Sequence, residues 1–304
     1  MNKAEVYASL NRGVLNERLF AFSRNLTKNA ALISKHGGLA RVLNCFTGVH
    51  VLIVGAGESL SKCIPVIKKL HTRDDFVLIA VDMAYGALVN NGITPDFAIT
   101  CETSPRDFFL PFDTSNTRLL AFSCSCSSNI RNWRGSISFY NWLIREEPYE
   151  SLWKRAGYDL GFVSTGSVVT TQALSIVMAL PVLSITLAGN DLGFTDYPYC
   201  TGVSWYANIM RTTNRFNPAE NAARKTIRLA RDYEIKRENR VYFTNNQFLG
   251  AKYWIEDLLK VSKKNVYDLS DPGVSGKYIN KLTPRQLEKM IIGDRENRKK
   301  RRTK

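Results

Sequence analysis

The stretch VLIVGAGESLSK, residues 51–62, decides the fold. Four apolar residues, 51–54, run directly into Gly55-Ala56-Gly57, and the residues that follow carry apolar side chains at helical spacing. A hydrophobic strand, a glycine turn and an amphipathic helix make the first half of a βαβ unit. The turn is either a phosphate-binding loop or an ordinary strand-to-helix bend, and the stretch alone does not distinguish the two.

The same alternation of strand and helix patterns continues along the next 150 residues. Short apolar runs predict further strands at 76–81, 97–100, 118–122, 136–140 and 184–189. The uncharged stretch from Leu160 to Asn190 fits a buried helix followed by a buried strand. We therefore predict an α/β, Rossmann-like core at 47–215, with a mainly parallel sheet flanked by helices.

Helical additions are expected on both sides of this core. Leu15, Leu19 and Phe22 stand at helical spacing and predict a helical segment over 1–46. A charged helix that continues through Glu234, and a second helix after it, predict a helical cap. The boundaries are 1–46 for the N-terminal segment, 216–282 for the cap and 283–304 for a short helix with a disordered basic tail.

Composition narrows the class of protein. The 304 residues are 44% hydrophobic and 11% aromatic, which is enough for a large buried core. The net charge of +15 favours an anionic partner such as a nucleotide. The N-terminus lacks the apolar core of a signal peptide, and polar residues interrupt 160–190 too often for a membrane span. We predict a cytoplasmic protein.

Ligands of parallel α/β sheets bind beyond the carboxyl ends of the strands, and polar residues follow several predicted strands. Gly55, Gly57 and Ser59 follow the first strand, where glycines let a ligand approach the backbone and the next helix N-terminus attracts phosphate. The third glycine of a dinucleotide-binding fingerprint is absent, because Leu60 occupies its position. Asp82 follows the second strand and either binds a ribose hydroxyl or caps the next helix.

Three further groups follow later strands. Glu102 comes directly after the strand that begins at Phe97. The turn STGS at 164–167 opens a buried helix and offers hydroxyls and backbone N–H groups to an anion. Asp191 and Asp196 stand five residues apart in LAGNDLGFTD, a loop after a core strand, where packing does not require two carboxylates.

In this order and spacing, the motifs resemble one family. The strings are GxGxSL, VDxAxxxLxxxGIxPDFxIT, STGSVVTTQAL and LxGxDLxFTD, followed by YCTGV and a late DPGVSGKYI. They are similar to the MptE-like domain of the motility accessory factor (Maf) glycosyltransferases of flagellated bacteria. The resemblance extends over roughly residues 50–280.

The resemblance implies a glycosyltransferase that moves a nonulosonic acid of the sialic, pseudaminic or legionaminic type from a CMP-activated donor to a hydroxyl of flagellin or a glycan. It implies donor phosphate or nucleotide at Gly55, Gly57, Ser59 and Leu60, and ribose or base at Asp82. It implies a nucleotide pocket at Thr165, Gly166 and Ser167, and the transferring sugar near Asp191, Thr195 and Asp196. Ser164 and Gly189 are further candidate binding residues. Glu102, Asp191 and Asp196 are the candidate catalytic acids. The nucleotide-sugar is a substrate, no cofactor is assigned, and a divalent metal ion is one way to stabilise the departing phosphate.

The chain departs from the family pattern at three points. Glu58 stands where the glycine motif usually has Pro, and Glu102 where Asp is usual. The histidines all precede the DLGFTD segment, although sialyltransferase-like members have a histidine base after it. An inactive nucleotide-binding homologue is therefore one alternative.

A second alternative is the 6-hydroxymethylpterin diphosphokinase branch of the same family. Such an enzyme would use ATP and Mg²⁺ to transfer pyrophosphate to a pterin, with the metal held by Asp82, Glu102, Asp191 and Asp196. The STGSVVTTQAL and LAGNDLGFTD segments are more similar to the glycosyltransferase branch. A nucleic-acid partner is not expected, because no RRM, KH or helix-turn-helix pattern is present.

Overall fold

The computed structural model describes residues 3–205, 210, 213–237, 240–270 and 276–302, without the side chains of 7–17, 237, 240 and 295–302. Its strands in chain order are β1 (His50–Val54), β2 (Phe76–Val81), β3 (Phe97–Thr100), β4 (Arg118–Phe122), β5 (Ile137–Trp142), β6 (Phe162–Val163), β7 (Ser184–Ala188), β8 (Tyr233–Arg237), β9 (Arg240–Thr244), β10 (Val266–Asp268) and β11 (Asn280–Lys281).

Nine of these strands form one sheet in the order β11-β10-β7-β1-β2-β3-β4-β5-β6, and every neighbouring pair is parallel. The central strands, such as FVLIAV in β2, are buried along their whole length. Helices pack over parallel sheets, so such strands need apolar side chains on both sides. The predicted α/β, Rossmann-like fold with a mainly parallel sheet is confirmed.

The helices are α1 (Lys3–His36), α2 (Leu60–Leu70), α3 (Asp82–Asn90), α4 (Ser127–Ile130), α5 (Tyr149–Ala156), α6 (Val169–Met178), α7 (Ala219–Ala230), α8 (Asn246–Val261) and α9 (Pro284–Arg302). As predicted, the uncharged stretch forms a buried helix and a buried strand, α6 and β7. Across the described residues, no helix combines the length and apolarity that crossing a bilayer requires.

The strand order creates a crevice at one point of the sheet. From β1 the chain adds strands in one direction as far as β6, whereas β7, β10 and β11 extend the sheet on the other side of β1. The loops after β1 and β7 therefore leave the same edge of the sheet in opposite directions. Such a reversal is where α/β proteins bind their ligands. We call this place the switch-point crevice: the loops 55–59 and 189–196.

Helix α1 docks on the far half of the sheet. Phe22 is fully buried, with ring centroids 5.4 Å from Phe122 and 5.5 Å from Trp142. The buried side chain of Asn25 donates to the carbonyls of Thr103 and Cys124 at 2.9 and 3.0 Å. The predicted N-terminal helix is present, Leu19 is half-buried in it, and the side chain of Leu15 lies outside the described residues.

The region after residue 215 differs from the predicted helical cap. The charged helix ends at Ala230 as α7, and the sequence that continues its helical pattern forms β8, which pairs antiparallel with β9. Strands β10 and β11 belong to the main sheet, because Val266 to Asp268 pair with Ile185 to Leu187. Helix α9 runs to Arg302, so it is longer than predicted. It includes residues 294–302 of the basic run that was expected to be disordered.

Candidate functional site

The glycines of the switch-point crevice are required by a contact between its two loops. Gly55 N–H donates to Ala188 O and Gly57 N–H to Gly189 O, both at 2.8 Å. A Cβ at Gly55 would lie 2.5 Å from Gly189 O, and Gly189 itself has φ +63°. The turn is therefore too tightly packed on the β7 loop for larger residues.

The N-terminus of α2 is occupied by a carboxylate of the protein. Asp191 accepts a hydrogen bond from Ser59 N–H at 2.9 Å and a second from the Ser59 hydroxyl. A Cβ at Gly57 would lie 2.6 Å from this carboxylate. The predicted phosphate position next to Ser59 thus already holds a carboxyl group of the protein, which in its ionised form interacts with the helix N-terminus as a phosphate would.

Burial is the main cause of the raised pKa of Asp191, which is about 7. The Ser59 hydrogen bonds lower the pKa, whereas the charges of Asp268 and Glu58 raise it further. Asp191 is 6% exposed. The side chain is close enough to neutral pH to exchange a proton, but in this arrangement both its oxygens bind Ser59.

Glu58 joins the two loops from the other side. Its half-buried carboxylate accepts a hydrogen bond from the hydroxyl of Thr195, in the DLGFTD loop. The next residue, Asp196, is exposed, and its side chain forms no hydrogen bond or ion pair with the described residues. The DLGFTD loop therefore carries one acid that is buried, Asp191, and one that faces solvent.

The first turn of α6 abuts this crevice. The hydroxyl of Thr170 donates to Asn190 Oδ1 at 2.6 Å, directly after β7. Helix α6 has no side-chain cap. The backbone N–H groups of Ser167, Val168 and Val169 donate to no acceptor within the described part of the chain. Three free N–H groups at a helix N-terminus are suited to an anion.

Ser167 has φ +81°, a left-handed conformation that is uncommon for a residue with a Cβ. The neighbouring Gly166 N–H donates to Thr171 Oγ1 at 2.8 Å, and a Cβ at Gly166 would lie 2.6 Å from Trp254. The Trp254 indole also donates to Ser164 Oγ at 3.2 Å. Helix α8, which carries Trp254, thus holds the STGS turn in this strained shape.

Gln172, one turn into α6, connects the STGS turn with β5. Its Oε1 accepts from the Tyr140 hydroxyl at 2.7 Å and from the Trp142 indole at 3.1 Å. Its Nε2 donates to Thr165 Oγ1 at 3.2 Å. With both ends of the amide engaged, Gln172 fixes the side chain of Thr165.

Asp82 is the first residue of α3. Its Oδ1 accepts from Met83 N–H at 2.8 Å and its Oδ2 from the Thr100 hydroxyl at 2.7 Å. Burial raises its pKa to about 6, and the two hydrogen bonds oppose that shift. The carboxylate thus joins the start of α3 to β3 without capping the helix, and ribose binding stays a prediction.

Glu102 lies at the end of β3 with a half-buried carboxylate. Its Oε1 accepts from Ser104 N–H at 2.8 Å, and Oε2 lies 3.9 Å from the Arg106 guanidinium. Among the described residues, no group of three or more His, Cys, Asp or Glu side chains is arranged to hold a metal ion. The four acids considered for Mg²⁺ therefore do not form such a group in this structure.

The family model described as "6-hydroxymethylpterin diphosphokinase MptE-like" matches residues 24–197, more than half of the chain. The chain belongs to the MptE-like family. The resemblance inferred from the motifs is confirmed. No curated protein matches the sequence.

The fold of this MptE-like chain can be compared with those of two solved structures. A Maf glycosyltransferase from Magnetospirillum magneticum AMB-1 superposes with a TM-score of 0.54 at 18% identity, over 82% of this chain and 38% of that protein. This chain thus spans well under half of that protein. The sialyltransferase CstII from Campylobacter jejuni, solved with the substrate analogue cytidine-5'-monophosphate, gives a TM-score of 0.38 at 14% identity, over 78% of this chain and 86% of that one.

The structure brings most of the predicted residues of this MptE-like chain to one edge of the sheet. The loop residues after β1 and β7 are in contact, and the STGS turn reaches them through Thr170. Asp82 and Glu102 follow β2 and β3; Asp82 binds Met83 and Thr100, and Glu102 binds Ser104 in its own loop. Leu60 is a fully buried core residue.

Sequence reasoning did not select Thr170, Gln172, Asn190 or Trp254, although they support the site. Thr170 and Gln172 lie inside the quoted STGSVVTTQAL motif as polar residues of a helix that is otherwise apolar, and this was the available signal. No local sequence pattern pointed to Trp254, because its partner Ser164 is 90 residues away in the chain.

Proposed function

We propose that this chain binds a CMP-activated nonulosonic acid in the switch-point crevice and transfers the sugar to a hydroxyl of a protein or glycan. Membership of the MptE-like family and the fold shared with a Maf glycosyltransferase support a glycosyltransferase-like protein. The identity of the donor, a CMP-linked sugar, and of the acceptor, a flagellin-like protein or a glycan, is what we propose beyond that.

The observation that carries the proposal is the open N-terminus of α6. Beside the crevice, three backbone N–H groups have no acceptor in the described part of the chain: those of Ser167, Val168 and Val169. The corresponding end of α2 is filled by Asp191. We therefore assign the donor phosphate to the STGS turn of α6 rather than to the glycine turn of α2.

The nucleoside is assigned to the residues next to that phosphate. Ser164 and Thr165 are half-buried, and both are held by neighbours, Trp254 and Gln172. Fixed hydroxyls recognise ribose or base without the entropy cost of ordering them on binding. Gly55, Gly57, Gly189 and Ser59 contribute by shaping the crevice.

The reaction requires the bond between the anomeric carbon and the phosphate oxygen to break through an oxocarbenium-like state. The bond's electrons leave with the phosphate of CMP, which the α6 N-terminus stabilises. The acceptor oxygen then bonds to the anomeric carbon, and its proton passes to a carboxylate. We assign that carboxylate to Asp196, because it is exposed, while Asp191 is buried against Ser59.

In this proposal, Glu58 is a positioning residue. It binds the Thr195 hydroxyl and so fixes the loop that carries Asp196. Glu102 is the remaining candidate for the base, since it is half-buried and binds only its own loop. A bound Mg²⁺, if used, would supply additional charge stabilisation for the phosphate.

A thermal-shift screen tests the nucleotide class. CMP and CDP are expected to raise the melting temperature, while ATP with 6-hydroxymethylpterin and Mg²⁺ is not, because a ligand stabilises only the folded state that binds it. Equal or greater stabilisation by ATP with the pterin would contradict this proposal and favour a pterin diphosphokinase. Stabilisation by CMP without sugar transfer to any acceptor would identify an inactive homologue.

A further inference from the structure

We infer that the basic face of α7 binds the acceptor, and that this acceptor is a glycan bearing carboxylated sugars. We define the α7 face as Arg224, Lys225 and Arg228, together with the neighbouring Arg215-Phe216 pair. The inference rests on the proposed function, because it names the acceptor for the same site.

The α7 face carries positive charge that no acidic side chain of the described residues neutralises. Arg224, Lys225 and Arg228 are exposed, and their spacing of one, three and four residues puts them on one side of the helix. Within the described residues none of the three makes an ion pair, and Glu220, one turn before Arg224, does not pair with it.

The opposite side of α7 holds the helix in place, since Ala223 and Ile227 are buried. The basic side is therefore fixed in its orientation toward solvent. Like charges four residues apart destabilise a helix slightly, so Arg224 and Arg228 gain from a bound anion.

An exposed aromatic ring stands three residues before the start of α7. Phe216 is 82% exposed, and the Arg215 guanidinium lies 4.8 Å from its ring centroid. A ring face packs against the apolar face of a pyranose, and an adjacent guanidinium binds a carboxylate through paired hydrogen bonds. The pair matches a sugar acid better than it matches a neutral sugar.

A chain of contacts connects the α7 face with the crevice. At the end of α7, the Arg231 guanidinium lies 4.8 Å from the ring centroid of Phe243 in β9. The backbone of Phe243 exchanges hydrogen bonds of 2.7 and 2.9 Å with that of Phe194. Phe194 precedes Thr195 and Asp196 in the DLGFTD loop. The end of α7 is thus linked to the loop that carries the proposed base, and the inference places the end of a glycan bound along α7 at that loop.

The test measures binding of fluorescent α2,8-linked polysialic acid to the whole chain at 0.15 M salt. The variant Arg224→Glu/Lys225→Glu/Arg228→Glu is expected to weaken binding by about tenfold or more. The matched control is Arg24→Glu/Lys28→Glu/Lys35→Glu on α1, which reverses three exposed charges elsewhere. The control is expected to bind within about twofold of the unmodified chain, and Phe216→Ala to bind about threefold more weakly.

Equal weakening in the two triple variants would overturn the inference, because it would reflect overall charge alone. Tighter binding of poly-glutamate or single-stranded DNA than of polysialic acid would also overturn it, in favour of an acidic peptide or a nucleic acid. Arg228→Ala, expected to weaken binding about threefold, replaces the triple variant should that one not fold.

Stabilisation by CMP, measured on the same samples, separates this inference from the proposed function. A chain that binds polysialic acid as expected but is not stabilised by CMP would contradict the proposed function and leave the α7 face as a glycan-binding surface. A chain stabilised by CMP that does not bind polysialic acid would contradict only the inference.

Discussion

At the scale of single residues, the crevice depends on the absence of side chains at its glycines. A Cβ at Gly57 would lie 2.6 Å from the Asp191 carboxylate and 2.9 Å from Gly189 O. One of these groups must then move, although both are held by hydrogen bonds. The close approach between the two loops, rather than a bound phosphate, explains these glycines.

Gly57→Ala should lower the free energy of unfolding by about 1–3 kcal/mol, the usual cost of overpacking a tight site. Gly293→Ala is the matched control, because it lies in α9 with nothing within 4 Å of the added Cβ. It should raise stability by up to about 1 kcal/mol through helix propensity. Urea unfolding measures both, and an equal effect of the two changes would contradict the proposed loop contact.

Asp191 should make stability depend on pH. Its pKa is raised from 3.8 to about 7 in the folded protein, mainly by burial. Between these values the unfolded chain loses its proton first, so the free energy of unfolding falls as the pH rises from about 4 to about 7. The corresponding loss is up to about 4 kcal/mol.

Asp191→Asn should therefore reduce this slope, since its amide stays neutral and can still bind Ser59. Urea unfolding at several pH values measures the slope. Asp74→Asn, at an exposed position, serves as the control and should leave the slope unchanged. A slope that is the same in Asp191→Asn and the unmodified chain would contradict the raised pKa of the buried Asp191.

At the scale of elements, α1 is attached through two buried amides. Asn25 donates to Thr103 O and Cys124 O, and Asn29 donates to Ser123 O and Ser125 O. These bonds satisfy carbonyls of the loops after β3 and β4, which apolar side chains could not do. The helix thus contributes to the order of a loop at the same edge of the sheet as the site.

Replacing either amide should leave buried carbonyls with fewer donors. Asn25→Ala is expected to destabilise the protein by about 1–3 kcal/mol. Ser34→Ala, at an exposed position of the same helix, is expected to have almost no effect. Thermal unfolding compares the two, and equal melting temperatures would contradict the proposed role of Asn25.

At the scale of the whole molecule, the C-terminal region completes the main sheet. Strand β10 pairs with β7, and Lys281 in β11 binds the buried Asp268 at 2.6 Å. Leu287 and Ile291 of α9 are fully buried. The residues after 265 therefore belong to the fold and cover the edge of β7 beside the crevice.

A chain ending at residue 265 should lose cooperative unfolding or aggregate, because it exposes the edge of β7. A chain ending at residue 294 keeps β10, β11 and the buried part of α9, so its melting temperature should change little. Thermal melts with size-exclusion chromatography distinguish the two. A cooperative melt for the shorter chain would contradict the role given to β10.

The sequence predicted the helices and strands that a continuous pattern of neighbouring residues identifies. VLIV and FVLIAV are continuous apolar runs, so they were recognised as strands. Strands β10 and β11 have two or three residues each and depend on partners distant in sequence, so no local pattern identified them. In β8, pairing of Tyr233 with Thr244 overrides a helical pattern.

The same distinction applies to the site. The strand-end positions of Asp82, Glu102 and Asp191 could be predicted, because the topology of a parallel sheet places them. Their hydrogen-bond partners could not, because the contact of Asp191 with Ser59 joins residues 132 positions apart. Because Asp191 occupies the end of α2, we assign the phosphate to the start of α6 and not to the glycine turn.

The central claim, that the STGS turn of α6 binds the phosphate of CMP, is tested most directly at Ser167. Both Asn and Asp tolerate its φ of +81°, so Ser167→Asn and Ser167→Asp differ essentially in charge. Calorimetric titration should give CMP affinity at least about tenfold weaker for Ser167→Asp and close to unmodified for Ser167→Asn. Cytidine, which lacks the phosphate, should bind both alike. Unchanged CMP affinity in Ser167→Asp would contradict the claim.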